Sequence, residues 1–397
     1  MQGSNPMNIT SKLPNVGTTI FTEMSQLAQQ HQAVNLGQGF PDFDTDNTLI
    51  EAVYQAMREG HNQYAPMSGH PLLKAAIVGK HAAQYNCHYD ANTEVTVTNG
   101  ASQALMASIL ALVHSGDEVV VIEPFYDLYL PCIELAGGKP VVVPMIAPES
   151  SVDSYYVDWN RVEQAITKNT RLLIVNFPHN PTGIRAKAND LDALEQLVHK
   201  FGIWVLSDEV YEHLIFDGEQ HLSLSTRESL KSHSIVVSSF GKTFSATGWK
   251  LGYCLAPKKL TIEIQKVHQY MVFCVATPMQ VGLARYMENS TVYEKLSAFY
   301  QEKRNFLYEG LQRTAFKPLK SEGTFFLLAS YHAISSVPEY EFSRWLTKEH
   351  GVGVIPVSAF YQQPQSAAAN HYLVRFCFAK QEATLAESLR RIEQIGI

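Results

Sequence analysis

Residues 234–257 read SIVVSSFGKTFSATGWKLGYCLAP. The stretch opens on an apolar, β-branched run of the kind that forms a strand buried on both faces, and a second short apolar run, GYCLAP, closes it. Between them sits Lys242, among small and aromatic residues, with Lys250 eight positions later. A lysine held at the end of a core strand either neutralises an anion or reacts with a carbonyl group. Both roles need a site built around it.

Upstream the same alternation recurs. EVTVT, DEVVVIEP, KPVVVP, RLLIVNFP and IWVLSDEV read as strands, and ASQALMASILALV, DLYLPCIELAG and DLDALEQLVHKFG read as helices between several of them. Seven apolar strands separated by helices predict an α/β fold: a large domain whose mainly parallel seven-stranded sheet is sandwiched by helices. The pattern changes after about residue 286. VYEKLSAFYQEKRNFLYEGL is a long amphipathic helix, GTFFLLAS and YLVRFCFA are strands, and QEATLAESLRRIEQI closes the chain as a helix. These make a smaller α+β domain. Residues 53–290 are assigned to the large domain; residues 1–52 and 291–397 form an N-terminal arm plus the small domain. The first fifty residues join this unit or reach toward a partner, since NLGQGFPDFD, at 35–44, is glycine- and proline-rich loop.

The 397 residues are 46% hydrophobic and 17% charged, as expected of a globular chain with a large core. Lys and Arg number 31 against 38 Asp and Glu, a net charge of -7 with no basic block, which argues against nucleic-acid or anionic-membrane partners. Five scattered cysteines without a CxxC pair, no signal-peptide pattern and no membrane-length apolar run predict a cytoplasmic protein. The fifteen histidines show no HExxH or comparable ligand spacing, so no metal is expected.

In open parallel sheets, ligands gather at the carboxyl ends of the strands. After EVTVT come Ala101, Ser102 and Gln103 at a helix start, where N–H groups and the helix dipole face an anion. PHNPTG, carrying Asn180, follows RLLIVNF; DEVYEHL, carrying Asp208 and Tyr211, follows IWVLS; Ser239, Lys242 and Lys250 follow SIVVS. Taken singly, each has an ordinary structural explanation: a tight turn, a helix cap, or an Asp208–Lys242 ion pair. Together they suit one ligand, a phosphorylated aromatic aldehyde with a ring nitrogen and a ring hydroxyl. Lys242 would condense with the aldehyde, its pKa lowered by desolvation beside other cations. Asp208 would hold the ring N–H, Asn180 and Tyr211 the ring hydroxylate, and Ser239, Lys250 and the backbone at 101–102 the phosphate. Tyr126, in EPFYD, would lie on the ring.

The chain resembles the fold-type I, pyridoxal-phosphate-dependent aminotransferases of class I/II. It is similar within them to bacterial methionine aminotransferases and to the kynurenine aminotransferase/glutamine transaminase K branch. Nearly the whole chain carries the likeness: SKLPNVGTTIF, VNLGQGFPDFD, NQYAPMSGH, HNPTG, SDEVYEH, SSFGKTFSATGWKLGYC, KVHQYMVF and YLVRFCFAKQEATL, in order. The resemblance implies pyridoxal 5'-phosphate as cofactor and ping-pong transamination between an amino acid and a 2-oxo acid, with Lys242 as anchor and proton carrier. It also adds three residues. Arg375 would clamp the substrate's α-carboxylate, and the Gly39 N–H would touch the same group from a closing loop. Tyr64 would reach the phosphate of the neighbouring subunit's cofactor, so a homodimer with shared sites is implied.

Two positions depart from the wider family pattern. Lys250 stands where many members carry arginine, and Cys274 stands where some animal kynurenine aminotransferases carry histidine, which discounts kynurenine as substrate. No arginine lies between Lys250 and Arg285 to clamp a second carboxylate. Phe40, Tyr64, Tyr126, Phe273 and Phe360 favour an uncharged, bulky side chain: methionine first, then aromatic amino acids and glutamine. Two alternatives share the cofactor, a carbon–sulfur β-lyase and a non-catalytic sensing module.

Overall fold

The computed structural model describes residues 9–150 and 153–395. Seven strands build the principal sheet: β1 (Val95–Thr98), β2 (Glu118–Glu123), β3 (Lys139–Pro144), β4 (Thr170–Asn176), β5 (Trp204–Asp208), β6 (Ser234–Ser239) and β7 (Gly252–Leu255). Their order across the sheet is β1-β7-β6-β5-β4-β2-β3. All run parallel except β7, which lies antiparallel between β1 and β6. Each expected strand is present, with ends differing by at most two residues. β1, β6 and β7 are buried along their whole length, because helices cover both faces. Side-chain alternation sorts the core. Val119 and Val121 join Ala104, Leu105 and Ile109 of the helix Ala101–Leu112, whereas Val120 joins Leu191, Leu194 and Leu197 of the helix Ala188–Phe201.

The helix expected across 127–137 forms over Tyr129–Leu135, with Pro131 in its first turn, where a missing N–H costs no helical bond. The long amphipathic helix comes as two pieces, Thr291–Glu294 and Leu296–Gln312, interrupted at Lys295. A second sheet follows: β8 (Lys317–Pro318), β9 (Phe326–Ser330), β10 (Ile355–Pro356) and β11 (Leu373–Cys377), antiparallel in the order β10-β11-β9-β8. The N-terminal segment joins this unit at Val34 and Asn35, which pair with Val352 and Gly353 in a short parallel ladder.

A boundary at residue 53 falls inside the helix Asn47–Arg58. Val53 packs directly on Gly282, so this helix belongs to the packing of Thr277–Tyr286 on the large sheet's side.

Candidate active site

Parallel strands deliver their carboxyl ends to one edge. Asn176 ends β4, Asp208 ends β5 beside it, and Ser239 ends β6. There the carboxylate of Asp208 is 4% exposed. Its Oδ2 accepts the Tyr129 hydroxyl at 2.7 Å and its Oδ1 accepts the Val210 N–H at 3.3 Å. Burial pushes its pKa up to about 6, against the pull of those two donors. Asn176 braces the edge: its Nδ2 donates to the Asp208 carbonyl at 2.8 Å and its Oδ1 accepts the Asn180 N–H at 2.8 Å. Asn180 does not cap a helix, since the next one starts at Ala188.

Lys242 lies in the single turn Phe240–Thr243 directly after β6, near the faces of Tyr211 and Phe325. Desolvation pushes its ammonium from 10.5 down to about 8, and Arg375 and Lys250 add repulsion. Nζ donates to the Gly39 carbonyl at 3.1 Å. Gly39 was expected to offer its N–H to a carboxylate; here it offers its carbonyl, because a buried amine takes the acceptor within reach. A Cβ at Gly39 would sit 2.7 Å from Phe326 Cζ, so only glycine fits this approach.

Arg375, on β11, is 1% exposed. Its Nη1 donates to Asn180 Oδ1 at 2.6 Å and its Nη2 to the Gly37 carbonyl at 3.0 Å. The guanidinium carbon is 3.7 Å from the Phe326 ring centre and 4.8 Å from that of Phe360. Opposite, the helix at Ala101 opens a cradle. Gly252 lets β7 come so close that a Cβ there would lie 2.7 Å from the Ala101 nitrogen. Lys250 Nζ hangs over Gly100, 3.3 Å from where a Cβ of that residue would be. Backbone donors, a helix start and a cation together suit an oxyanion the size of phosphate.

Ala101, Ser102, Tyr126, Asn180, Asp208, Tyr211, Ser239, Lys242, Lys250, Gly39 and Arg375 all line one cavity of about 250 Å³. Five expected residues lie outside it: Gln103, Tyr64 and, from the expected aromatic wall, Phe40, Phe273 and Phe360. Gln103 turns back, its Oε1 accepting the Asn99 N–H at 2.6 Å and its own N–H bonded to the Gly100 carbonyl. Tyr64 is 82% exposed, edge-on to Phe273 at 5.1 Å.

The sequence matches the family model for aminotransferase class I and II over residues 31–392. The chain belongs to that family. It is 45% identical to methionine aminotransferase of Escherichia coli over 99% of this chain and all of that one. Identity to the probable N-succinyldiaminopimelate aminotransferase of Mycobacterium tuberculosis is 38%, covering 97% and 98%. Kynurenine–oxoglutarate transaminase of Dictyostelium discoideum is 34% identical over 94% and 93%. The crystal structure of YbdL from Escherichia coli, for which a methionine aminotransferase function was identified, superposes with a TM-score of 0.94 over 98% of this chain and all of that one, at 45% identity.

This aminotransferase therefore has the expected α/β architecture and is an enzyme, not a sensing module. Sequence reasoning missed Tyr129 and Asn176, which hold Asp208, and it missed Phe21 and Phe326, which line the cavity. Asn176 could have been found as the one polar side chain closing the apolar run RLLIV. Tyr129 carries no such signal, for its role depends on which helix start the sheet brings over β5.

Proposed function

We propose that this aminotransferase binds pyridoxal 5'-phosphate in the cavity and uses it to move the amino group of methionine, and of aromatic amino acids or glutamine, to a 2-oxo acid in ping-pong fashion. The convergence of Lys242, Asp208 and Arg375 on one cavity carries this reading. The residues fit the cofactor: an amine of lowered pKa for the aldehyde, and a buried acid of pKa about 6 for a pyridine-type nitrogen. The cradle at Ala101 and Gly252 suits its phosphate. When bound, the cofactor supplies an aldehyde for amine exchange and a protonated ring that withdraws electrons from the substrate's Cα.

The chain's own groups do the rest. Lys242 would anchor the cofactor, and once displaced its neutral amine would be the base that takes up and gives back the substrate's Cα proton. Asp208, fixed by Tyr129 and Val210, would keep the ring nitrogen protonated. Tyr211 and Asn180 would serve the ring hydroxyl, Tyr126 the ring face, and Ser239, Lys250 and the N–H groups at Ala101 and Ser102 the phosphate. Arg375 turns its fork to the substrate's carboxylate; its Nε has no protein partner among the described residues, which leaves a donor for that ligand.

The cations lining the cavity, Lys242, Lys250 and Arg375, all have roles in this scheme, and the apolar wall includes Phe21, Leu105 and Phe326. That supports an uncharged side chain, and the relative with the highest identity given above supports methionine. Tyr64, exposed in one chain, is assigned to the phosphate of a second chain, so a homodimer completes each site. All five cysteines are free, in keeping with a reducing, cytoplasmic setting, and no helix among the described residues is long and apolar enough to cross a membrane.

The test loads the protein with pyridoxal phosphate and follows its visible spectrum with single amino acids. Methionine should bleach the band and aspartate should not; no change with any amino acid refutes the proposal. Formation of a new amino acid separates transamination from β-lyase activity, which releases ammonia and a 2-oxo acid.

A further inference from the structure

On the far side of the sheet from the cavity lies a buried ionic cluster that the mechanism does not use. Its centre is Glu212, the residue after Tyr211. Oε1 accepts Lys80 Nζ at 2.6 Å, the Ser238 hydroxyl, and the Tyr253 hydroxyl at 3.2 Å. Oε2 accepts the Tyr85 hydroxyl at 2.7 Å. Lys80 Nζ also donates to the Tyr253 oxygen at 2.7 Å. The two charged side chains are only 4% and 3% exposed. Burial would raise the Glu212 carboxyl, and the Lys80 ammonium overcomes this and holds it well below the ordinary carboxylate range. So close an ion pair stays charged, and a buried pair of this kind rarely adds net stability over apolar packing. Its use is better sought in geometry.

The positions of its partners supply that use. Ser238 and Tyr253 are cross-strand neighbours in β6 and β7, and the next neighbouring pair is Ser239 and Gly252. Successive residues of a strand point to opposite faces. A clamp on Ser238 and Tyr253 from one face therefore sets Ser239 and Gly252 toward the cavity on the other. The same carboxylate fixes the backbone one residue past Tyr211. One side chain thus ties together the three segments that carry Asp208 and Tyr211, Ser239 and Lys242, and the glycine wall of the cradle.

We infer that Glu212, paired with Lys80, is a positioning residue that holds the cofactor cradle in register from behind, setting the affinity for pyridoxal phosphate without touching it. The inference rests on the proposed cofactor. Its test measures the dissociation constant of pyridoxal phosphate for the apo-protein, together with the melting temperature of the same samples. Glu212→Gln keeps the shape and removes the charge. It should weaken binding about tenfold at a temperature where circular dichroism shows the fold intact, the effect of losing one charge-assisted contact. Tyr85→Phe removes one donor and leaves the ion pair; it should weaken binding about threefold, and it decides the matter should Glu212→Gln not fold. Leu346→Ala, in the small domain's core and 0% exposed, serves as a control that lowers the melting temperature and leaves the dissociation constant within about twofold. Wild-type affinity in both cluster variants overturns the inference. So does a loss that Leu346→Ala reproduces at equal destabilisation. Failure of the wild-type protein to bind pyridoxal phosphate refutes the proposed function instead.

Discussion

Lys242 of the apo-protein should react with pyridoxal phosphate along a pH curve centred near 8, set by burial and by the Arg375 and Lys250 charges. The magnitude follows from the shift between 10.5 and about 8. At pH 7 about a tenth of such a group is neutral, against roughly one in 3,000 for an ordinary lysine, so the nucleophilic fraction is about 300-fold larger. The assay records the initial rate of growth of the visible band when pyridoxal phosphate is mixed with apo-protein at pH values from about 6 to 10. A simple alkyl amine treated identically removes the contribution of the free aldehyde's own titration. The sign is fixed: a depressed lysine pKa makes the rate rise through pH 8 and level off before an ordinary amine has begun to respond. A protein curve that tracks the alkyl amine, with its midpoint at about 10 or higher, would refute the claim that the cavity desolvates this amine.

Lys242→Ala should abolish turnover while pyridoxal phosphate still binds by equilibrium dialysis; more than about 1% residual activity contradicts the proton-carrier role. Arg375→Lys keeps the charge and loses the fork, so kcat/KM should fall about 30-fold, roughly 2 kcal/mol, mostly through KM. Asp208→Asn should lower kcat more than about a hundredfold, since an amide cannot hold the ring proton as a carboxylate does, and a loss below about threefold speaks against that assignment. For Gly39→Ala, the added methyl would meet Phe326 at 2.7 Å. Overpacking of this kind costs about 1–3 kcal/mol, so the melting temperature should fall by a few degrees while kcat/KM drops about tenfold.

The sheet was legible because its strands are buried on both faces and so read as continuous apolar runs; β1, β6 and β7 have no exposed position to blur the pattern. Lys242 was legible for the same reason, as a cation at the end of such a run. Arg375 was not: it sits in β11 between apolar neighbours, and only likeness to a family marked it. Tyr129 escaped because its value lies in a hydrogen bond to Asp208 across 79 residues, which no local pattern encodes, whereas Asn176 did leave a local sign, a polar end to an apolar run. Gln103 was assigned to the cofactor by its place at a helix start, but its amide is occupied with Asn99. The border at 53 lies within Asn47–Arg58, which is amphipathic along its full length, so nothing in its composition marks a change at Val53.

The antiparallel strand between β1 and β6 also bears on biosynthesis. Gly252–Leu255 fills a gap between one wall that ends at Ser239, just before it in the chain, and another that ends at Thr98, far earlier. A polypeptide still on the ribosome presents those walls as bare hydrogen-bonding edges until its 255th residue has left the exit tunnel. Before that moment the close approach of Gly252 to the Ala101 nitrogen does not exist, so the proposed cofactor would be captured only by a chain that has already finished its largest sheet.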